Sequence, residues 1–277
     1  MEAVGTPGGG RWKALGSDIK DMVAEQVRYR DLLLRMTERD IRIRYKQSVM
    51  GFGWAIFMPL VNMIVFSVIF MRVAPIDTGM PYPIFAYSGL LAWNCFASAL
   101  RFSTNSLTSN PNLVTKIYFP REIFPFSAVL VSLVDFAIGA TVLAALMLWY
   151  QVDVSVTLLF LPVIVVVQTI FTAAVALMLA MANLYYRDVK YLFELLIQVW
   201  MFTTAVVYPI ELVGGTLGAL LKLNPMTPII DAYRAVIVRG ELPAAAPFSM
   251  AAVFAVVCLI LAWTTFHRSE FEFAENL

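Results

Sequence analysis

VSVTLLFLPVIVVVQTIFTAAVALMLAMANLYY, the stretch from Val154 to Tyr186, contains no charged side chain. A helix needs about 20 apolar residues to cross the hydrocarbon core of a membrane, because each residue rises about 1.5 Å. Backbone groups in lipid must form their hydrogen bonds within their own segment, which a lone strand cannot do. The stretch is therefore predicted to be a membrane-spanning helix, with tilt to fit its length and with Pro162 near one end.

Five further apolar runs are predicted to span the membrane. They are Phe52–Met71, Ile84–Leu100, Phe124–Tyr150, Tyr191–Tyr208 and Pro247–Phe266. Hydrophobic residues make up 60% of the chain and charged residues 14%, whereas soluble domains are about a quarter charged. The sequence thus predicts an all-α integral membrane protein with six transmembrane helices and no cleavable signal peptide.

The positions of Lys and Arg predict how the chain lies in the membrane. Of its 20 Lys and Arg residues, 16 fall before the first span, in the second and fourth connections, or after the last span. The other four are Arg72, Lys222, Arg234 and Arg239. Basic residues concentrate on the cytoplasmic side of membrane proteins. Both termini are therefore predicted to be cytoplasmic.

The segment before the first span, Gln26 to Lys46, is predicted to form an amphipathic helix. Its apolar stripe consists of Tyr29, Leu32, Leu33, Met36 and Thr37. Such a helix lies in the headgroup plane with its cations against anionic lipid; the alternative is a plain cytoplasmic anchor. We expect a flexible tail at 1–25, this interface helix at 26–50, the six-span domain at 51–268 and a cytoplasmic tail at 269–277.

Two cytoplasmic connections have patterns typical of ordered contact surfaces. Asn110-Pro111 is typical of a helix start, and Pro120 ends that helix after about two turns. A plain connector needs no proline-bounded helix, so this one is expected to pass force or position to a neighbouring protein. Tyr186 to Lys190 forms a second, tighter cytoplasmic connection.

The fifth connection, from Pro209 to Ala246, is too apolar for an ordinary solvated loop. Asn224-Pro225 interrupts it, and Thr227-Pro228 is typical of a helix start. Two helices that are too short to span the membrane indicate a re-entrant pair in the outer leaflet. Non-helical backbone is tolerated at that depth only where it is buried in protein or lines a water-filled cavity. The alternative is an interfacial helix lying flat on the membrane.

The sequence contains few residues of the kinds that enzymes use. Neither G-x-x-x-x-G-K-[ST] nor G-x-G-x-x-G occurs, so the chain is not expected to hydrolyse a nucleotide by itself. No catalytic residue is predicted, and no His, Cys or carboxylate cluster has metal-ligand spacing. The single histidine, His267, is expected to be an ordinary interfacial side chain. Cys95 and Cys258 are expected to be inert packing residues.

Two carboxylates lie inside predicted spans, where charge is costly and usually functional. Asp135 lies in the third span, and Glu194 lies within a turn of the start of the fifth. We expect both to lack a basic partner in the membrane, with Glu194 at the headgroup boundary beside Lys190. Two isolated acids make a weak proton relay. Asp135 is expected to hydrogen-bond to a neighbouring helix or to face a water-filled channel.

Four motifs, in order, resemble those of one known family. They are RDIRIRYKQS at Arg39–Ser48 with GFGW at Gly51–Trp54 and Pro59, NLVTKIYFPREIFP at Asn112–Pro125, Asn183 with YRDV at Tyr186–Val189, and NPMTP at Asn224–Pro228 onward to Arg234. The chain resembles the membrane subunit of ABC-2-type exporters, in the branch that moves lipid-linked polysaccharides such as O-antigen, capsule or teichoic acid. One departure is Tyr186, where many relatives have Phe.

The resemblance implies a homodimer in the inner membrane, bound to two copies of a separate ATPase that holds ATP and Mg²⁺. This chain would bind no cofactor and no nucleic acid. The implied ATPase-coupling helix includes Asn110, Pro111, Leu113, Lys116, Tyr118 and Phe119, and the implied second cytoplasmic contact is Arg187 and Asp188. The implied lipid-phosphate residues are Arg39, Arg42, Arg44 and Lys46, and the implied outer gate contains Asn224, Pro225, Pro228 and Arg234.

The function that follows is ATP-driven export of a lipid-linked polysaccharide. Three alternatives stay open at this point: an ABC-2 permease for a drug or lipid, a proton-coupled carrier, and a membrane-embedded enzyme. The absence of a large extracellular region disfavours the first, and the absence of a polar catalytic cluster disfavours the last.

Overall fold

The computed structural model describes residues 19–46, 50–116, 119–270 and 273, and within this part of the chain every regular element is helical. The predicted all-α membrane fold is confirmed. The helices are α1 (19–28), α2 (Arg30–Tyr45), α3 (Gly53–Val68), α4 (Tyr82–Ser106), α5 (Pro111–Lys116), α6 (Ile123–Trp149), α7 (Leu161–Tyr185), α8 (Val189–Thr203), α9 (Gly215–Lys222), α10 (Met226–Arg234) and α11 (Ala245–Ser269). Shorter turns of π-helix at Ile69–Val73 and Ala235–Arg239 extend α3 and α10, and 3₁₀ turns lie at Val156–Phe160 and Ile210–Leu212.

Among the described residues, five helices are long and apolar enough to cross a membrane: α3 with its π turn, α4, α6, α7 with its 3₁₀ turn, and α11. They correspond to five of the six predicted spans. The remaining one is represented by α8, which has 15 residues and is about 22 Å long. That is short of a hydrocarbon core of about 30 Å. The count of six therefore stays a prediction.

The backbone breaks off α8 well before Tyr208, where the apolar run ends. Ala205 adopts a left-handed conformation with φ +53°, which no helix continues. Ala205, Val206 and Val207 are nevertheless buried. Irregular backbone is thus held inside the protein at this point, as lipid requires.

Helix α4 forms the centre of the bundle and packs against α3, α6, α7, α8 and α10. It is the least apolar of the five long helices, yet 89% of its apolar window is buried, against 11% for α3. Lipid faces demand apolar side chains, whereas a helix enclosed by protein can hold polar and small ones. Composition therefore assigns α4 to the interior and α3 to the periphery.

Polar side chains tie the neighbouring helices to α4. Gln168 of α7 donates to the carbonyl of Ala92 at 2.9 Å, and Ser103 donates to the carbonyl of Pro125 in α6 at 3.2 Å. Asn183 of α7 donates to the carbonyl of Thr104 at 2.8 Å. Such bonds between helices each contribute about 0.6–2 kcal/mol in membrane proteins.

The N-terminal region contains two helices where the sequence predicts one. Residues 19–25, predicted to belong to a flexible tail, are part of α1, and residues 1–18 lie outside the described part of the chain. The two helices meet at Tyr29, whose amide donates to the carbonyl of Glu25 at 2.9 Å while its carbonyl accepts from Leu33 at 3.0 Å. Hydrogen bonding thus continues through the bend, and α2 then packs along α6.

Two short helices, α9 and α10, lie between α8 and α11, in agreement with the predicted pair. Helix α10 begins at Met226, two residues before Pro228, the predicted first helical position, because the side-chain oxygen of Asn224 accepts from the Met226 amide at 3.1 Å. It packs against α4, α7 and α11 and buries seven of its nine residues. A helix lying flat on a membrane buries only one face, so this burial favours the re-entrant interpretation.

A substitution at Gly89, in the first third of α4, tests this packing. A Cβ atom at this position would stand 2.5 Å from Nη2 of Arg234 and 2.6 Å from the carbonyl oxygen of Val206. We expect Gly89→Ala to destabilise the folded chain by about 1–3 kcal/mol, as overpacking of a filled interior does. The measurement is the midpoint of thermal unfolding of the purified chain in detergent.

The matched control is Gly53→Ala in α3. A Cβ there meets only Cβ and Cε of Met50, at 3.4 and 3.5 Å, and alanine favours helix over glycine by about 1 kcal/mol. Equal midpoints for the two variants would contradict the packing described for α4.

Candidate substrate cavity and coupling surface

The end of α2 is joined to α6 by a charged contact deep in the bundle. Asp135 accepts hydrogen bonds from the guanidinium of Arg44 and from the hydroxyl of Tyr45. Asp135 lies 12 residues after the start of α6, which is about 18 Å along the helix axis. Four residues before Arg44, Asp40 accepts from Ser127 at 2.6 Å. The expectation that Asp135 lacks a basic partner is wrong.

Two further contacts fix the Arg44 guanidinium. Nη2 donates to Oγ of Ser98 at 3.0 Å, and Cζ lies 3.7 Å from the ring centroid of Phe102. Burial raises the pKa of Tyr45 to about 12, so its hydroxyl keeps the proton that it donates to Asp135. Arg44, predicted to meet a lipid phosphate, is therefore bound to protein on several sides.

These residues line a cavity of about 540 Å³ between α2, α3, α4 and α6. Its polar lining consists of Arg44, Tyr45, Asn62, Asn94, Ser98, Arg101 and Asp135, and Trp54, Met58, Leu91 and Phe136 are among its apolar residues. Polar groups at this depth are expensive in lipid and mark a path for water or a polar ligand. Both expectations for Asp135, a hydrogen bond to a neighbouring helix and a place on a cavity wall, agree with the structure.

The second intramembrane carboxylate, Glu194, also has a basic partner. Its Oε2 accepts from Nε of Arg101 in α4 at 3.1 Å, so the expectation that Glu194 lacks a basic partner is wrong. Lys190 instead lies with Nζ 4.9 Å from the ring centroid of Tyr191. The Arg101–Glu194 pair is about half exposed and joins α4 to α8 beside the cavity.

The remaining predicted lipid-phosphate residues lie on the outer surface of α2. Arg39 forms an ion pair with Asp40 at 2.7 Å, and Arg42 forms one with Glu38 at 2.5 Å on an exposed face. With Arg35 and Lys46, these two arginines line an open groove of about 720 Å³ that also contains Phe52. The groove combines four cations and one carboxylate, Glu38, with apolar surface, which suits the headgroup region of a lipid.

Hydrogen bonds and one buried side chain hold helix α5 at the end of the bundle where α6 begins. The side-chain amide of Asn110 donates to the carbonyl of Ser106 at 2.8 Å, and its backbone carbonyl accepts from the amide of Val114 at 3.1 Å. Val114 and Phe119 are buried in a cluster with the ends of α7 and α11. Pro111, Asn112, Thr115 and Lys116 are exposed, Leu113 is half-buried, and Tyr118 lies outside the described residues.

The second predicted contact, Arg187 and Asp188, is exposed at the turn between α7 and α8. Asn183 orients this turn, because its side-chain oxygen accepts from the amide of Lys190 at 3.2 Å while its amide group binds α4. The turn and α5 are thus both hydrogen-bonded to the last turn of α4. Asn183 joins the turn to Thr104, and Asn110 joins α5 to Ser106.

Asn224 joins the predicted outer gate to the end of α8. Its side chain accepts from the indole of Trp200 at 3.2 Å and donates to Oγ1 of Thr204 at 2.8 Å. Pro225 caps α10, and Pro228 lies in its first turn, where a missing amide proton costs no helical hydrogen bond.

Arg234, at the end of α10, is 5% exposed. Its guanidinium donates to the carbonyls of Ala205, at 3.3 Å, and of Val206, and lies 3.7 Å from the ring centroid of Phe85. Burial lowers the pKa of Arg234 to about 10, so it remains charged at neutral pH. The positively charged guanidinium of Arg234 thus stabilises the carbonyl groups that follow the end of α8.

The fold also brings together three ionisable groups that are far apart in the sequence. His267 Nδ1 lies 3.0 Å from Oε1 of Glu122 and 3.9 Å from Oε1 of Glu270. The expectation that His267 is an ordinary interfacial side chain is wrong, since a buried carboxylate binds it.

The comparisons with known proteins agree with this architecture. Residues 31–238 match the family described as ABC-2 type transporter. The chain belongs to the ABC-2 type transporter family. The resemblance found in the sequence is confirmed.

Three relatives illustrate how far this similarity extends. O-antigen export system permease protein RfbA of Myxococcus xanthus is 30% identical over 92% of this chain and 99% of its own length. The protein of the same name from Klebsiella pneumoniae is 28% identical over 89% of this chain and 95% of its own length. Polysialic acid transport protein KpsM of Escherichia coli is 20% identical over 84% and 91%.

Sequence reasoning missed several residues of this ABC-2 site. Ser98, Ser127 and Arg101 stand in no recognisable motif, and only the fold places them against charged partners. Glu122 was visible as part of the second motif, but nothing in the sequence indicated that His267, 145 residues later, would face it.

The contact between Arg44 and Asp135 is tested by a double-mutant cycle. Arg44→Met or Asp135→Leu alone leaves a poorly solvated charge without its partner, and we expect each to lower the free energy of unfolding by about 3–5 kcal/mol. The double variant should recover most of that loss, because an apolar pair replaces the ion pair. The measurement is thermal or denaturant unfolding of the purified chain.

The exposed pair Arg42–Glu38 supplies the control. Arg42→Met should change stability by no more than about 1 kcal/mol. Additive losses in the Arg44→Met/Asp135→Leu variant would show that the two side chains do not interact.

Proposed function

We propose that this chain is the membrane-spanning permease subunit of an ATP-driven exporter that moves a lipid-linked, O-antigen-like polysaccharide across the inner membrane. The observation that carries the proposal is the near full-length similarity to proteins named O-antigen export permeases in two bacteria. A separate ATPase would bind ATP and Mg²⁺ and supply the energy. Both termini would lie in the cytoplasm, on the side that carries most Lys and Arg residues.

The polar cavity supports a translocation path shared by two copies of the chain. Asn62 lies in the middle of α3 and is exposed, and Arg101, near the end of the bundle that would face the cytoplasm, lines the same cavity. Polar groups exposed in the middle of a membrane are costly unless they face water or another subunit. In the proposed homodimer, the second copy closes this face and the cavities line the route of the glycan.

The α2 groove supports an access site for the phosphate of the lipid carrier. Arg35, Arg39, Arg42 and Lys46 would meet the anionic head at the cytoplasmic leaflet, where planar guanidinium groups suit phosphate oxygens. Arg44 would act differently, by holding the end of α2 against α6. The lipid would then lie beside the cavity that receives its glycan.

The exposed face of α5 supports docking of the ATPase. The helix is only six residues long, but its Val114 is buried in a cluster with residues of α6, α7 and α11, so a push on its outer side would reach the bundle. The turn at Arg187 and Asp188 would form the second contact. Two ATPase copies would serve the homodimer.

Lys116→Glu tests the docking surface. Lys116 is exposed on α5, so we expect the variant to fold and insert normally but to lose co-purification with the cognate ATPase. Lys222→Glu is the matched control, because it makes the same charge change on α9 at the other end of the molecule and should retain the ATPase. Normal retention by Lys116→Glu would argue against α5 as the docking site.

The export function itself is tested in proteoliposomes. Vesicles that contain the chain, its cognate ATPase and a lipid-linked polysaccharide should translocate the glycan only when ATP is present. An ATPase variant without its phosphate-loop lysine should abolish translocation. Uptake or release driven by a proton gradient, with the chain alone, would instead establish a carrier.

The structure weakens the proton-carrier alternative. A relay carboxylate must exchange protons freely with water, whereas both oxygens of Asp135 already accept hydrogen bonds from Arg44 and Tyr45. Glu194 is likewise paired, with Arg101. A permease for a drug or lipid remains the second candidate, and ATP-driven movement of such a compound without the glycan in the same vesicles would identify it.

A further inference from the structure

A cluster of three side chains lies behind α5, where the start of α6 meets the end of α11. Glu122 immediately precedes α6, His267 belongs to the last turn of α11, and Glu270 follows that helix. One potential ligand atom from each, a carboxylate oxygen or a ring nitrogen, lies within 4.8 Å of the other two. The sequence does not reveal this cluster, because Glu122 lies 145 residues before His267.

Burial makes the cluster unusual. Glu122 is 1% exposed, and among the residues that the structure describes its Oε2 has no hydrogen-bond partner. A buried carboxylate oxygen without a donor is costly. Glu270, also buried, brings a second carboxylate to the same site, and one imidazole carries at most a single positive charge. Among the described side chains, Arg121 is the one further basic group shown to act on Glu270, yet Oε2 of Glu122 and Oε2 of Glu270 are both left without a hydrogen-bond partner. A bound cation would satisfy these two oxygens.

We propose that Glu122, His267 and Glu270 bind a divalent transition-metal ion, with Zn²⁺ as the expected occupant. Two carboxylate oxygens and one imidazole nitrogen form a ligand set that suits Zn²⁺, whose oxygen and nitrogen ligands lie about 2.0–2.2 Å from the ion. Mg²⁺ fits less well because it prefers oxygen ligands and keeps its water. A water molecule completes the coordination on the side where His267 is partly exposed.

The position of the ion gives it a structural role. It joins Glu122, the residue before α6, to the end of α11. This position is next to the apolar cluster that contains Val114 of α5. The bound ion stiffens the base on which the ATPase of the proposed exporter would press. Metal binding itself does not depend on the export function, so the two can fail separately.

Zn²⁺ titration of the full chain tests the site. The protein is purified in detergent through a tag without histidine, since His267 is its only histidine, and is stripped with a chelator. Competition with a fluorescent Zn²⁺ indicator should show one ion per chain. Glu122→Gln, His267→Gln and Glu270→Gln should each weaken binding at least about tenfold. Each substitution keeps a similar size and a polar end, so the fold should persist.

Glu241→Gln is the control, because Glu241 lies at the other end of the molecule. This variant should bind Zn²⁺ as tightly as the original chain does. A second measurement guards against loss of folding. Zn²⁺ should raise the midpoint of thermal unfolding of the original chain and of Glu241→Gln, but not that of Glu122→Gln. The proposal is overturned if the original chain binds no Zn²⁺ at micromolar concentration, or if the three variants bind it with unchanged affinity.

Discussion

Polar groups inside a bilayer must find their partners within the protein, and this constraint determines the packing of the chain. It explains why α4, the least apolar of the long helices, lies at the centre, and why α3 and α11, which are more apolar, lie outside. It also explains the pairing of Arg44 with Asp135. In water such charges could remain solvated separately, but in a membrane each requires the other or a water-filled cavity.

The same constraint accounts for the irregular backbone after α8. A helix that stops inside a membrane leaves carbonyl groups without donors. Here Asn224 and Arg234, which belong to the segments around α10, supply those donors to Thr203, Ala205 and Val206. The end of α8 therefore depends on the segments around α10, because their side chains supply hydrogen-bond donors to the carbonyl groups that the end of α8 leaves unpaired.

The features predicted correctly from the sequence are those encoded locally. Long apolar runs identified the five long helices, and Asn110-Pro111 and Thr227-Pro228 identified α5 and α10, because helix starts depend on neighbouring residues. The failures involve partners distant in sequence: Arg44 and Asp135 are 91 residues apart, and Arg101 and Glu194 are 93 apart. No spacing rule connects such pairs, so both acids looked isolated. The end of α8 escaped prediction for the same reason, because the apolar run continues to Tyr208 and only distant donors make the break possible.

Helix α6 connects the two ends of the proposed mechanism. It begins beside the cluster that holds α5, and 12 residues later it presents Asp135 to the cavity and to the end of α2. An α-helix transmits displacement along its axis with little compression, because every turn is hydrogen-bonded to the next. A push on α5 by an ATPase would therefore reach the Arg44–Asp135 contact directly, and with it both the wall of the cavity and the groove on α2. The ion pair thus lies where the motion of the ATPase and the position of the lipid head would meet.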